Sequence, residues 1–184
     1  FDVAPFYNTS RLNRHDGPED QSLGDRCMRG ITPDFRGFRR IVQGDDAIAI
    51  GYDSGQGQGY QRVVNLSGDH PPNQVRLRHG DSRGRWEDNT LVVETTSFRG
   101  GQSRGTGPNM HLIERFWRID TDTVGYEFTV TDPTVYTQSY TAMLPLRRTD
   151  GPLYEYACHE GNIGLHGILA GARIQEMRGV PLRP

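Results

Sequence analysis

The sequence contains no lysine, because all 21 of its strongly basic residues are arginine. This absence excludes enzymes that form a Schiff base through a lysine amine and nucleotide-binding proteins that depend on a P-loop lysine. Exclusive use of arginine fits a GC-rich source genome, although arginine is also well suited to bidentate recognition of anions. The formal net charge is only −2, so no overall basic field favours nucleic acid as a partner.

Long apolar runs are also missing. No segment approaches the roughly 18 apolar residues that a membrane-spanning helix needs, so we predict no membrane partner. Hydrophobic residues make up 34% of the chain and charged residues 24%, a balance typical of a globular protein with long polar loops. The length of 184 residues predicts one domain with a single sizeable core.

Cysteine is scarce: the chain has only Cys27 and Cys158, which are 131 positions apart. The even count permits one disulfide that closes most of the chain, and two buried thiols are the alternative. The chain has no CxxC pair, so its cysteines do not indicate a metal site. The chain begins at Phe1 without an apolar leader, which fits a mature exported protein or a trimmed chain.

Short apolar or alternating segments between turn signals predict β-strands. Residues 39–43 and 47–52 flank the turn at 44–46, and the strand 90–96 follows the turn at 88–89. Further strands are predicted over 60–66, 84–87, 110–119, 124–131, 136–148 (one bent strand or a pair) and 153–159. Helical spacing of apolar residues predicts one helix over 162–178.

Many short strands followed by one helix, without a βαβ rhythm, predict a mainly β fold. We expect a single antiparallel β-barrel, lipocalin-like in outline, with a C-terminal helix and room for one small ligand. The polar residues 1–34 predict an irregular N-terminal arm, and residues 35–184 the barrel domain.

Three segments in order resemble a large family of mostly exported, uncharacterised bacterial β-rich proteins. They are GDSRGRWEDNTLVVETTSF (80–98), HLIERFWRIDTDTVGYEFTVTDPTVYT (111–137) and YEYACHEGN (154–162). The resemblance covers roughly residues 27–173 and implies a β-rich fold and a periplasmic or secreted location. It implies no catalytic residues. The chain departs from the family pattern at Asp88-Asn89 and at His166.

The hairpin 110–132 is the first candidate for a functional site. If residues 120–123 form its loop, His111 lies directly opposite Asp132, and we assign their more apolar face to the inside. A carboxylate beside an imidazole fixes its tautomer, which prepares the pair for acid–base catalysis. Arg115 on the same face would bind a substrate oxyanion.

Two alternatives stay open for this hairpin. A register slip of one residue would turn Glu114 and Phe116 inward instead. His111 and Asp132 could also form a purely structural pair at the mouth of the hairpin. We also expect aromatic side chains to line the ligand cavity: Trp86, Trp117, Tyr126, Phe128, Tyr136 and Tyr140.

The segment Cys158 to Asn162 is the second candidate, because functional groups often lie where a strand ends. Glu160 would act as an acid or base with His159 as its partner. In the alternative interpretation Asn162 caps the helix and the other two side chains only support its start. The spacing H-E-x5-H does not place His159 and His166 as metal ligands on one helix turn, so we predict no metal.

Two functions follow from these candidates. The first is a cofactor-independent acid–base enzyme (a cyclase, isomerase, lyase or hydrolase) acting on a small, largely apolar molecule, with His111, Asp132, His159, Glu160 and Arg115 as catalytic groups. The second is an exported lipocalin-like protein that binds such a molecule without changing it. The number of ionisable side chains that converge in the cavity discriminates between them. The sequence leaves a homodimer open.

Overall fold

The computed structural model describes residues 15–21, 24–27, 32–34, 37–53, 60–100, 106–153 and 157–179. They form eight strands and one α-helix. The strands are β1 (Phe38–Gln43), β2 (Ala47–Asp53), β3 (Tyr60–Asn65), β4 (Asp81–Glu87), β5 (Thr90–Thr96), β6 (His111–Arg118), β7 (Thr123–Thr131) and β8 (Tyr140–Arg147), and the helix is α1 (Ile163–Met177). The mainly β prediction with one C-terminal helix is therefore confirmed.

All eight strands belong to one curled sheet in which sequence order and spatial order are the same. Neighbouring strands are antiparallel except for β3 and β4, which are parallel over only two residue pairs. Within the described residues β1 and β8 are the two edges of the sheet and do not pair. The sheet is therefore mostly antiparallel, as predicted, but it is an open half-barrel, so the predicted barrel is corrected on closure.

The concave face of the sheet carries the core, because side chains alternate between the two faces of a strand. Its fully or nearly buried members come from β2 to β7 and include Ile50, Val64, Val93, Leu112, Phe116, Tyr126, Phe128 and Val130. Apolar side chains of β8 pack against the same cluster. The two-residue turn at Asp88 and Asn89 joins β4 to β5, as predicted, with Asp88 in the left-handed region (φ 52°).

The helix α1 begins after Asn162, whose Oδ1 accepts a hydrogen bond from the Leu165 backbone N–H at 3.2 Å. The interpretation of Asn162 as the helix cap is thus confirmed. Of the predicted strand 153–159, residues 154–156 lie outside the described residues, and Cys158 and His159 belong to a turn. No helix in the described part of the chain is long and apolar enough to cross a membrane.

Cys27 and Cys158 form a disulfide, so the alternative of two buried thiols is wrong. The bond connects the N-terminal segment to the turn that precedes α1. Because it closes a loop of 131 positions, it stabilises the fold by roughly 4–5 kcal/mol in the chain-entropy model. A disulfide of this kind indicates an oxidising compartment outside the cytoplasm. The predicted boundary between arm and domain at residue 34 stays a prediction.

Candidate functional site

The hairpin formed by β6 and β7 has a register one residue away from the predicted one. His111 lies opposite Thr131, and Trp117 lies opposite Gly125. This register lets the Trp117 indole lie directly across Gly125, where any Cβ would collide with the ring. On the other face, Phe116 stacks against Tyr126 with ring centroids 4.7 Å apart. The slipped register, which the sequence left open, is therefore the one that forms.

Relative to the prediction, the shift of one residue exchanges the inward and outward side chains of β6, whereas the side chains of β7 keep their predicted faces. Glu114 and Phe116 point into the core, whereas Arg115 and Trp117 lie on the convex face. There Arg115 Nη1 donates to Glu87 Oε2 at 3.0 Å. The predicted inward position of Arg115 is therefore wrong, because its neighbours in the strand are the residues that fill the core.

His111 and Asp132 do not form the predicted pair. The Nε2 atom of His111 lies 2.6 Å from Oε1 of Glu94 on the convex face, and this hydrogen bond lowers the pKa of Glu94. The buried Asp132 carboxylate instead accepts hydrogen bonds from the Gly107 backbone N–H (2.7 Å) and from the backbone N–H and hydroxyl of Thr134 (3.1 and 2.6 Å). Asp132 thus closes the turn after β7.

His159 and Glu160 are exposed in the turn that precedes α1. The carbonyl of His159 accepts a hydrogen bond from the Asn162 N–H at 3.3 Å, which supports the start of the helix. The five residues predicted to be catalytic therefore lie in three separate places: the convex face, the end of β7 and this turn. The structure does not bring them together, and their catalytic roles stay predictions.

Four of the six aromatic residues predicted to line a cavity do meet on the concave face. Tyr126, Phe128 and Tyr140 form a continuous series of ring contacts, and Tyr136 makes an edge contact with Tyr140 at 5.5 Å. Trp86 shares this face by register but lies at the rim, 48% exposed. Trp117 lies on the convex face and is the exception.

A group of polar side chains lies among these aromatic rings, and the sequence singled out only Glu114 and Tyr126 of its members. We call it the arginine–tyrosine cluster, and its members are Arg39, Tyr52, Arg62, Glu114 and Tyr126. Arg62 Nη1 lies 2.7 Å from Glu114 Oε2, and the Tyr126 hydroxyl donates to Glu114 Oε1 at 2.8 Å. The Arg62 and Glu114 side chains are only 3% and 0% exposed. This ion pair connects β3 to β6 across the curl of the sheet.

Arg39 completes the cluster from the edge strand β1. Its guanidinium carbon lies 4.5 Å from the ring centroid of Tyr126 and 5.6 Å from that of Tyr52, and Arg62 lies 5.7 Å from the latter. Arg39 Nη2 donates to the backbone carbonyl of Asp34. Its Nε and Nη1, and Nε and Nη2 of Arg62, are buried and have no hydrogen-bond partner among the residues that the structure describes. Within that part of the chain, four guanidinium nitrogens on this face thus lack an acceptor.

Burial determines the protonation of the cluster at neutral pH. It raises the pKa of Tyr52 to about 12 and raises that of Tyr126 well above the usual value, to which Glu114 also contributes. Burial alone would lower the pKa of Arg62, but the Glu114 carboxylate raises it well above the usual value. Both phenols are therefore protonated and Arg62 is charged, so the cluster offers hydrogen-bond donors.

One sequence signal could have found the cluster. In β3 the alternation of Tyr60, Arg62 and Val64 places an arginine on the face that also carries an aromatic and an aliphatic residue. Arg39 has the same relation to Ile41 in β1. An arginine at an inward position is rarely buried unless it is paired, so it indicates a partner elsewhere in the fold.

In the described part of the chain, no three His, Cys, Asp or Glu side chains come together in a way that could hold a metal ion. Comparison with family models, with curated proteins and with solved structures finds no match to this chain. The resemblance to exported bacterial proteins therefore stays a prediction.

Proposed function

We propose that this protein is a cofactor-independent acid–base enzyme whose substrate is a small organic molecule. An oxygen of the substrate, from a carboxylate, carbonyl or enolate, would bind to Arg39 and Arg62, and its apolar part would lie against the aromatic side chains of the concave face. The substrate would occupy a lipocalin-like cup formed by the half-barrel.

The four buried guanidinium nitrogens without an acceptor carry this proposal. A buried N–H donor without a partner costs on the order of 1–3 kcal/mol, so an arrangement with several of them is strongly stabilised by an incoming oxygen. Charge-assisted hydrogen bonds to an oxyanion are about twice as strong as neutral ones. Donors that are already oriented where negative charge develops are a principal source of rate enhancement in enzymes.

Each member of the cluster has a role in this proposal. Arg39 and Arg62 stabilise the charged oxygen. Glu114 holds Arg62 in place through the 2.7 Å ion pair, and Tyr126 in turn orients Glu114. Because Glu114 is engaged on both oxygens, it acts as a positioning residue and not as a base.

An exported binding protein without catalysis is the second candidate. It is favoured by the chemistry of the cluster, whose phenols are protonated and whose one carboxylate is fully engaged. The cluster by itself contains no base. Either function fits a periplasmic or secreted location, which the Cys27–Cys158 disulfide supports.

The binding step is tested with an aromatic anion and its neutral analogue. We expect benzoate to displace the fluorescent probe 1-anilinonaphthalene-8-sulfonate from the wild-type protein and benzyl alcohol to do so at least tenfold more weakly. Arg62→Met and Arg39→Met should each weaken benzoate binding at least tenfold. Arg115→Met removes an arginine that is ion-paired on the convex face and is the matched control, with an expected change below twofold.

The use of two arginine variants keeps the test decisive if Arg62→Met is poorly folded, because Arg39 belongs to no buried ion pair in the described residues. Circular dichroism establishes that each variant is folded. Equal binding of benzoate and benzyl alcohol, or unchanged benzoate binding by Arg39→Met, would contradict the proposed site.

A further inference from the structure

The sheet is divided at one place, between β3 and β4. Every other neighbouring pair of strands is matched over six to eight residue pairs, whereas these two pair only at Val64 with Ser82 and Asn65 with Arg83. The first residues of β3 and the segment 77–80 before β4 therefore diverge. They enclose a cavity of about 320 Å³, which we call the fork pocket.

The fork pocket contains more basic than acidic side chains. Arg62, Arg78 and His79 are among its ten lining residues, and Asp81 is the one acidic residue among those that the structure describes. The Asp81 carboxylate already accepts hydrogen bonds from Arg83 (2.7 and 3.1 Å) and lies 2.7 Å from Nδ1 of His70. The negative charge in the wall is thus compensated from outside the pocket. An anion is the ligand that this lining favours.

Further positive charge surrounds Arg78. Burial lowers the pKa of Arg78, and the neighbouring charges of Arg26 and Arg99 lower it further. A short parallel bridge between Leu77 and Phe98 places Arg99 near Arg78. Next to this bridge, the Arg99 N–H donates to the Leu77 carbonyl at 2.8 Å. Crowding of like charges is relieved when an anion binds between them.

His79 connects the fork pocket to the arginine–tyrosine cluster. Its imidazole stacks on Tyr60 with centroids 4.4 Å apart, and Tyr60 stacks on Tyr52 at 4.5 Å. Arg39 and Arg62 both lie over Tyr52. Nδ1 of His79 is buried and has no hydrogen-bond partner among the described residues. The ring is therefore held in position by stacking, and no group in the described ranges engages that nitrogen.

We infer that the fork pocket binds the acidic, carbonyl-bearing end of the substrate and that His79 is the catalytic acid–base residue. This inference rests on the proposed function, because Arg62 serves both sites. The substrate class is an organic acid with a carbonyl group beside an acidic C–H bond. Arg78 binds its carboxylate, and Arg62 stabilises the carbonyl oxygen.

The chemical step is a proton transfer that needs no co-reactant. The C–H bond next to the carbonyl breaks, its electron pair forms the C=C bond of an enolate, and the carbonyl π pair moves to the oxygen beside Arg62. The proton goes to a ring nitrogen of neutral His79. Its return to the same carbon gives hydrogen exchange, and its delivery to the enolate oxygen gives the enol tautomer.

The protonation state of His79 suits this step. Burial, and then the charges of Arg78 and Arg62, lower its pKa to about 4, so the imidazole is neutral at pH 7. An anionic substrate offsets both arginine charges and raises the pKa again. His79 therefore becomes a stronger base when the correct substrate is bound.

The experiment uses phenylpyruvate, which has a carboxylate, a ketone, acidic protons and an aromatic ring. Exchange of its C3 protons in D₂O is followed by proton NMR. We expect the wild-type protein to accelerate exchange at least tenfold over buffer and His79→Gln to lose at least tenfold of that rate, with phenylpyruvate affinity within threefold of wild type. His70→Gln, which removes the neighbouring histidine paired with Asp81, is the control and should keep the rate.

A second readout is the imidazole itself. Saturating benzoate should raise the pKa of His79 in an NMR titration by at least one unit. If phenylpyruvate binds and Arg62→Met abolishes binding, but exchange is not accelerated or His79→Gln keeps the full rate, this inference is overturned and the binding site stands. If the wild-type protein binds benzoate but not phenylpyruvate, this inference is overturned and the proposed function stands; if it binds neither anion, both proposals are overturned.

Discussion

Ion pairs on the two faces of the same sheet have similar distances but differ sharply in burial. On the concave face, Arg62 and Glu114 lie 2.7 Å apart and are 3% and 0% exposed. On the convex face, His111 and Glu94 lie 2.6 Å apart but are 36% and 40% exposed. Arg115 and Glu87 form a similar exposed pair. Distance alone does not separate these pairs, and burial does.

The difference shows where function is to be sought. Water screens the convex pairs, so they contribute little and have no need of a further partner. The concave pair has lost its hydration and still has guanidinium nitrogens without an acceptor. Among the ion pairs of the described residues, only the second arrangement leaves buried donors for a further partner, and we propose that a small molecule binds there, in the curl of the sheet.

Breaking the concave pair should have the largest effect on stability. Arg62→Met leaves the Glu114 carboxylate buried without its counter-charge, and we expect a loss of about 3–5 kcal/mol in the free energy of unfolding. The double variant Arg62→Met/Glu114→Met removes both charges and should recover most of this loss. Urea denaturation measures both variants.

The double variant is the control for simple loss of packing. If it is as unstable as Arg62→Met alone, the buried charge of Glu114 is not the cause of the destabilisation. In that event the contrast between the two faces would come from packing and not from electrostatics.

We expect protonation of His79, which is partly buried beside the fork pocket, to have an intermediate effect on stability. Its pKa is lowered to about 4, so between pH 6.5 and 4 the unfolded chain binds a proton that the folded chain does not. Stability should therefore fall as the pH is lowered through this window, on the order of 1–2 kcal/mol after allowance for solvent screening. His79→Gln should remove this part of the pH dependence, as measured by thermal unfolding at stepwise pH.

We expect the smallest effect on stability from breaking the pair of His111 and Glu94 on the convex face. His111→Gln should change the free energy of unfolding by less than about 1 kcal/mol, because the pair with Glu94 is solvent-exposed. The pair lowers the pKa of Glu94, so its contribution is present above the usual glutamate pKa and is lost as the pH falls through the lowered one. High salt should weaken it. A loss above 2 kcal/mol in His111→Gln would remove the distinction between the faces.

Much of the local structure was predictable from the sequence. The turns at 44–46 and 88–89 join strands as expected, β7 presents Tyr126 and Phe128 to the core, and α1 begins after its cap Asn162. These features depend on neighbours within a few residues of each other. The disulfide was favoured by the count of cysteines and the structure contains it.

The candidate site was much less predictable. A shift of one residue in the hairpin of β6 and β7 exchanged Arg115 for Glu114 as the inward charged residue. The contact of Trp117 with Gly125 contributes to this register, and no alternation pattern reveals such a contact. Asp132 was predicted to pair with His111, but its carboxylate accepts hydrogen bonds from Gly107 and from Thr134 of its own turn.

The sequence by itself determined the strands, the turns, the helix cap and the alternation of side chains, because each depends on short-range geometry of the chain. Only the tertiary structure decided that β3 runs beside β4 in parallel, that the sheet stays open, and that Arg62 meets Glu114 across the curl. Residues 52 positions apart meet there because the sheet bends, and the bend is a property of all eight strands together. The physical reason is that the properties of a charged side chain depend on its burial. Burial is produced by segments that are distant in the sequence and not by the neighbours of that residue along the chain.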